Sequence, residues 1–436
     1  MIESIIQACG REGFAAADVF HERLEKKEFL HSTARTLNHE SSGNRMAVRA
    51  FWEKGDPVGI SLSIPSLREI RQALAECRSA VHPDSRKNIA SLLPADPGEA
   101  KPKIFDPFFF ELGGVNFREL TERITEAMSS FSGISIRNIA LQAGLRRIHI
   151  VNSAGLSGRY KKTVFTISLD LVARHHRLEI QESRSFFRQF QPERLIARAS
   201  NLFEAVGEAV EVDREAGPLL FAPEATAAVI RHFSDHFRSG FSQLQNKELV
   251  ASQQVTLVDQ PLLDEQCGSA PFDDEGVRCR EHILINKGVF LSPIRDLRSG
   301  LSAGGSTGNG FRAEGIHPVV LFSNLVIKPS PFAFAQLLKE AGSGVLVVLV
   351  RPSSPAGDGR EYNFSAYGFR FSGGEVGAPV HFTFRTSLRS FLLRVVRVSR
   401  ELKFFLHRFS LGTPYMLLDG DRSTGSADQP QFRIQV

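Results

Sequence analysis

Residues 45–64, RMAVRAFWEKGDPVGISLSI, constrain the fold more tightly than any other stretch. Met46, Val48, Ala50 and Trp52 alternate with other residues before a Lys-Gly-Asp-Pro turn, and Val58, Ile60, Leu62 and Ile64 alternate after it. Successive side chains of a strand point to opposite faces, so two period-two runs around such a turn predict an antiparallel hairpin. A helix is expected directly afterwards. Ser66 and Glu69 form a capping-box pattern, Leu67, Ile70, Leu74, Cys77 and Val81 recur at intervals of three and four, and Pro83 ends the stripe. On that stripe Cys77 reads as a core thiol, not a nucleophile.

A Pro- and charge-rich connector, PADPGEAKPKIFDP (94–107), leads into a second block. A helix is predicted in NFRELTERITEAMSSF, capped by Asn116 and Glu119, with Phe117, Leu120, Ile124 and Phe131 on one face. Strands around 145–180 turn at Asn152–Gly155, and residues 192–209 close the block as a helix. The second block thus reads as a pseudo-repeat of the first. After about residue 213 the texture changes to one helix candidate, 223–237, among short strands and Gly-rich turns, ending in a weakly held tail. The expected fold class is α+β: a mixed helix and antiparallel-sheet domain over 1–212, then a mostly-β domain over 213–436.

Composition narrows the function classes. Phe occurs 35 times against four Tyr and one Trp, which favours buried rings over a stacking surface for sugars or bases. A net charge of +5, dispersed along the chain, offers no basic stripe for nucleic acid. The most basic stretch, 389–409, interleaves charge with apolar residues and reads as an element with one solvated face. No basic-then-apolar leader is visible, the longest apolar run (345–350) is too short to span a bilayer, and the four cysteines form no CxxC pair. A cytoplasmic protein without membrane or nucleic-acid partners is the expectation.

Four places could carry chemistry. His232 and His236 stand four apart in VIRHFSDHF, which on a helix stacks both imidazoles on one face, with Asp235 within reach. A zinc hydrolase also needs a general base and a third ligand. Phe233 follows His232, however, and a phenyl ring takes no proton from water, so the three are only weak metal candidates. Cys267, Cys279 and His282 lack the tight pairing of a zinc knuckle. The loop GGSTGNGFR (304–312) lacks the lysine of a phosphate-binding loop and is followed by strand-like sequence, so a nucleotide reading fails. Its glycines imply close backbone approach, either to the protein's own chain or to a bound peptide, where Asn309 and Arg312 would offer hydrogen bonds. The adjacent His175 and His176 point to opposite faces of a strand and cannot chelate jointly.

The order of the C-terminal pieces is more telling than any one of them. PFDDEGVRCREHILINKGVFLSPIRDLRSG (271–300), STGNGFR (306–312), NLVIKPS (324–330), YNFSAYGFRFSGGEVGAPV (362–380) and GTPYMLLDG (412–420) together resemble the C-terminal domain of the TldD/PmbA family, also called modulators of DNA gyrase. The resemblance covers most of the chain. It implies one branch that is a zinc metallopeptidase with an HExxxH helix and a second branch, TldE (or PmbA), that is its non-catalytic companion in a peptide-cleaving heterodimer. In this sequence His232 matches the first histidine, Phe233 replaces the glutamate, His236 arrives one residue early, and no cysteine follows Cys279.

The sequence therefore resembles the TldE/PmbA branch, and the family's catalytic residues are not carried over. On this reading the chain has no cofactor of its own, zinc sits on a TldD-like partner, and a peptide enters a cleft that the pair forms. Gly308, Asn309, Gly310, Phe311 and Arg312, with Gly368 and Phe369, are the candidates for contact with partner or substrate. Two alternatives stand beside it: a divergent active metallopeptidase using His232 and His236, or a homodimeric interaction protein without a protease role.

Overall fold

The computed structural model describes residues 2–32, 36–53, 57–62, 67–80, 88–131, 133–173, 176–207, 209–212, 217–312, 315–356, 360–420 and 433–435. The turn residues 54–56, the Ser66 cap, Val81, Pro83, His175, residues 213–216 and most of the tail lie outside the described residues, as does the side chain of Cys77.

The first 207 residues repeat one unit twice. The first unit runs α1 (Ile2–Arg11), β1 (Ala16–Ser32), β2 (Thr36–Phe51), β3 (Val58–Leu62) and α2 (Leu67–Ala80). After a short helical turn, α3 (Phe108–Glu111), the second runs α4 (Gly114–Ser129), β4 (Ile134–Asn152), β5 (Ser157–Ala173), β6 (His176–Arg184) and α5 (Pro192–Gly207). Each is a helix, three antiparallel strands and a helix. The six strands form one sheet in the order β3-β2-β1-β4-β5-β6, joined at its centre by β1 and β4. The expected hairpin is present, with Val48 opposite Ile60.

Each helix pair covers its own apolar patch. Ile5, Val19, Val48, Ile70 and Leu74 make one core, and Ile124, Leu141, Phe165, Leu195 and Ile196 another. Helix α4 starts earlier than its sequence pattern implies. Gly113 is extended and its N–H donates to Asn116 Oδ1 (2.9 Å), so Asn116 caps from the third helical position.

From residue 210 the chain builds two further large sheets and a two-stranded one. Its elements are β7 (Val210–Glu211), β8 (Leu219–Phe221), α6 (Pro223–His232), β9 (Leu257–Asp259), β10 (His282–Asn286), β11 (Val289–Phe290), α7 (Leu297–Gly300), β12 (Gly310–Phe311), β13 (Val319–Val320) and β14 (Asn324–Ile327). Then follow α8 (Phe334–Ala341), β15 (Ser343–Ala356), β16 (Glu361–Ser372), β17 (Glu375–Thr386), α9 (Leu388–Leu393), β18 (Val395–Val398), β19 (Lys403–Leu406), β20 (Ser410–Thr413), β21 (Met416–Leu418) and β22 (Arg433–Gln435). One large sheet has the order β11-β10-β9-β14-β20-β19, the other β18-β21-β8-β15-β16-β17-β22, and β12 and β13 form the two-stranded one.

Both large sheets bury one shared core together with α6, and its largest side chains are phenylalanines. The Phe221 and Phe391 rings meet edge-on at 5.1 Å, and Phe364 stacks on Phe384 at 5.3 Å. Strand β7 pairs in parallel with Val380 and His381 of β17.

Candidate functional site

Helix α6 does not deliver the histidine pair that its sequence spacing implies. Pro223 opens it and the α-helical turn stops at His232, where Phe233 (φ −95°, ψ 8°) leaves the helix and a 3-10 turn, Ser234–Phe237, follows. Core packing sets the break: Phe233 and Phe237 both enter the shared core. The His232 ring lies edge-on to Tyr362 (3.9 Å) and Phe364 (5.3 Å), and Asp235 pairs with Arg238 (2.5 Å). Burial lowers the pKa of both histidines; Arg231 adds to the effect at His232, and Asp235 opposes it at His236. No group of three or more His, Cys, Asp or Glu side chains among the described residues is arranged to hold a metal ion. The positions one and five after His232, where an HExxxH helix needs its base and second ligand, are both core phenyl rings. The residues present do not fit zinc.

The loop 304–312 resolves as a structural turn. Gly308 takes φ +82°, and a Cβ there would stand 2.8 Å from the Arg278 carbonyl oxygen. Asn309 is buried, donates Nδ2 to Asp259 Oδ2 (2.6 Å) and to the Leu321 carbonyl (3.0 Å), and accepts from Thr307 Oγ1 (2.6 Å). Gly310 and Phe311 form β12, and the Gly310 N–H donates to Asp273 Oδ2 (2.8 Å). Gly368 and Phe369 are buried in β16, with room for no Cβ at Gly368 because the Leu346 carbonyl oxygen would be 2.1 Å away. Of the candidates for contact with partner or substrate, all but the half-buried Phe311 are buried, and Asn309 Nδ2 and the Gly310 N–H bond within the chain.

Arg312 is the most informative of them, since it is 2% exposed and bridges the two parts of the molecule. Its Nη2 donates to Asp18 Oδ1 on β1 (3.2 Å), its Nε to the Ile316 carbonyl (2.9 Å), and its Nη1 to the Asp274 carbonyl. Arg49 on β2 completes the cluster. It forks onto Asp18 (Nε–Oδ2 2.9 Å) and reaches Glu275 Oε1 at 2.7 Å. Burial opposes the Arg49 charge, but Asp18 and Glu275 hold it protonated well above its ordinary value, while burial raises the Glu275 carboxyl. Nearby, burial lowers Lys162 to about 8 and raises Asp259 to about 6. The charged residues of β1 and of the start of β2 break their apolar alternation, which is why the sequence pattern found the β2–β3 hairpin but missed β1 and this ionic strut with it.

A cleft lies elsewhere. A cavity of about 710 Å3 opens between β6, an edge of the first sheet, and β19, an edge of the second. Its floor includes Ala227, Ala228 and Val350, and Glu224 and Arg231 project from the same helix, α6, that carries His232. Arg198 from α5 holds Glu224 (Nε–Oε2 2.7 Å) and donates to the Gln181 carbonyl of β6 (3.3 Å). Burial lowers the pKa of Arg231, Lys403 and His407. Sequence reasoning did not find this cleft, because its lining comes from six segments far apart in the chain.

A twice-repeated helix–meander–helix sheet docked on a β-rich domain with a helix at its centre is a fold this chain shares with solved structures. The crystal structure of TldE from Thermococcus kodakarensis superposes with a TM-score of 0.83 at 20% identity, over 96% of this chain and 98% of that one, a likeness of fold. Residues 214–425 match the PmbA/TldA metallopeptidase C-terminal domain. The chain is 33% identical over 175 residues to a metalloprotease of Archaeoglobus fulgidus, covering 39% of this chain and 41% of the relative. It is 27% identical to a metalloprotease PmbA homolog of Haemophilus influenzae, covering 48% and 46%. The matched stretches thus span less than half the length of these relatives. Over residues 214–425 the chain carries a C-terminal domain of the PmbA/TldD type.

Proposed function

We propose that this chain is the non-catalytic, TldE-like subunit of a TldD/TldE-type zinc metallopeptidase. It would pair with a TldD-like catalytic chain and supply part of the cleft that takes a peptide. One observation carries the reading: Phe233 and Phe237 stand in the core at the two positions where an HExxxH helix needs its base and second imidazole. Zinc and base then belong to the partner. The cleft suits an extended peptide, because β6 and β19 are edge strands of their sheets and a sheet edge can offer backbone groups to a guest strand.

The test is co-expression with a TldD-like chain. Co-elution as a heterodimer, with hydrolysis of an unfolded peptide by the pair and not by this chain alone, is the expected result. Metal analysis of the chain purified without a metal-binding tag runs beside it. Stoichiometric zinc that a His232→Ala/His236→Ala double variant loses, together with hydrolysis by the chain alone, would overturn the proposal in favour of an active metallopeptidase.

A further inference from the structure

The cleft carries cations that the protein itself leaves uncompensated. The guanidinium of Arg231, near the end of α6, has no hydrogen-bonded or ion-paired partner among the described residues and feels Glu224 only at longer range. Glu224 is already held in a two-pronged pair by Arg198. The other acids of the wall are taken in the same way: Glu182 pairs with Arg184 (2.6 Å), and Glu265 with Arg188 and with Gln189 Nε2 (3.2 Å). Glu179, exposed on β6, stands beside Arg177. Opposite, Lys403 opens β19 without an ion-pair partner among the described residues.

A half-buried guanidinium with no partner loses hydration and regains nothing inside the chain. Its planar fork matches a carboxylate with two parallel N–H···O bonds. Ala227 and Ala228 of the same helix, with small side chains, also line the cleft.

We propose that this cleft is a carboxylate-binding subsite for peptides, with Arg231 as the anchor and Lys403 as a second cation at the opposite wall. The acceptor is the C-terminal carboxylate of an extended peptide lying between β6 and β19, or an acidic side chain within it. The inference rests on the peptide-handling reading above. It concerns this chain's own residues, so it is tested on the chain alone, and failure to pair with a catalytic partner would leave the result readable.

The experiment is fluorescence anisotropy with three dye-labelled, Ala/Ser-rich pentapeptides: a free acid, its C-terminal amide, and an amide carrying a central Glu. The free acid is expected to bind about tenfold more tightly than the plain amide, the worth of one charge-assisted pair. Arg231→Gln should remove that preference, Arg231→Lys should restore part of it, and Lys403→Gln should weaken it. Equal gains for the central-Glu amide would assign the site to acidic side chains; no gain for it would assign the chain terminus. Both outcomes support a carboxylate subsite. Equal binding of acid and plain amide, or a preference that survives Arg231→Gln, would overturn the proposal. So would displacement of the peptide by inorganic phosphate at concentrations where chloride of equal ionic strength has no effect, since the site would then be an inorganic oxyanion site. The Arg231 guanidinium has no internal partner among the described residues, so the thermal midpoint of the Gln variant should match the parent and serve as the folding control.

Discussion

Arg49→Met should break the tie between the two parts of the molecule. The Arg49 side chain is 4% exposed and serves two carboxylates, Asp18 within its own sheet and Glu275 from the β-rich part. Methionine keeps most of the volume and the contact with Phe51, so the change isolates the charge. Asp18 would retain Arg312 at 3.2 Å, and Glu275 the Leu297 N–H at 2.7 Å. Removing one partner of a buried ion pair typically costs about 3–5 kcal/mol. Two carboxylates lose a partner here and each keeps a donor, so about 4 kcal/mol is the expectation.

Urea denaturation followed in parallel by far-ultraviolet circular dichroism and by Trp52 fluorescence reads the effect. Trp52 is the sole tryptophan and packs on Phe14 at 4.5 Å in the first sheet's core. The two signals should move together in the parent and separate in the variant, with the Trp52 transition earlier. Glu275→Gln added to Arg49→Met should recover roughly 1–3 kcal/mol, because the pair is coupled. The sign of the pH effect follows from Glu275, whose carboxyl is raised by burial. A raised carboxyl stabilises the fold at pH below its unfolded value and loses that contribution as pH rises through its folded value. Without Arg49 the carboxyl rises further, so the deficit should grow with pH and shrink in acid. A midpoint change below about 0.5 kcal/mol, or strict additivity of the two substitutions, would refute the strut.

Asp259, raised to about 6 by burial against the donors Asn309 and Ser323, should make the parent lose stability relative to Asp259→Asn as pH rises from 3.8 through about 6; urea midpoints of both across that window check it. Gly368→Ala would press a methyl group against the Leu346 carbonyl, and a thermal melt should report a cost of about 1–3 kcal/mol. Phe237→Ala empties a fully buried site in the shared core and should cost about 3–5 kcal/mol by denaturant unfolding, whether or not metal is supplied. Added zinc that raised the melting temperature of the parent, but not of His232→Ala/His236→Ala, would contradict the assignment of α6 as scaffold.

Much of the fold was legible along the chain. The hairpin over 46–62 and the helices at 67 and 192 announced themselves because one face of each is apolar and the other wet, which imprints periods of 2 and 3.6 on the sequence. The ordered C-terminal pieces carried the PmbA/TldD-type C-terminal domain, and the Phe-rich composition anticipated the Phe-lined core. The first helix and β1 were not legible, since Asp18 and Glu22 occupy buried positions of β1 where a pattern expects apolar residues.

What the sequence determined by itself is this alternation of wet and dry faces, a property of neighbours a few residues apart. Whether a particular side chain ends in a site was decided by contacts between distant segments. His232 and His236 kept a chelating spacing in the sequence, yet the burial of Phe233 and Phe237 ended the helix between them. Asn309 and Arg312 had the donors of a ligand loop, yet Asp259 and Asp18, 50 and 294 residues away along the chain, took up those donors. The cleft itself exists only where β6, α5, α6 and β19 converge, and no local pattern encodes which cations that convergence leaves without a partner.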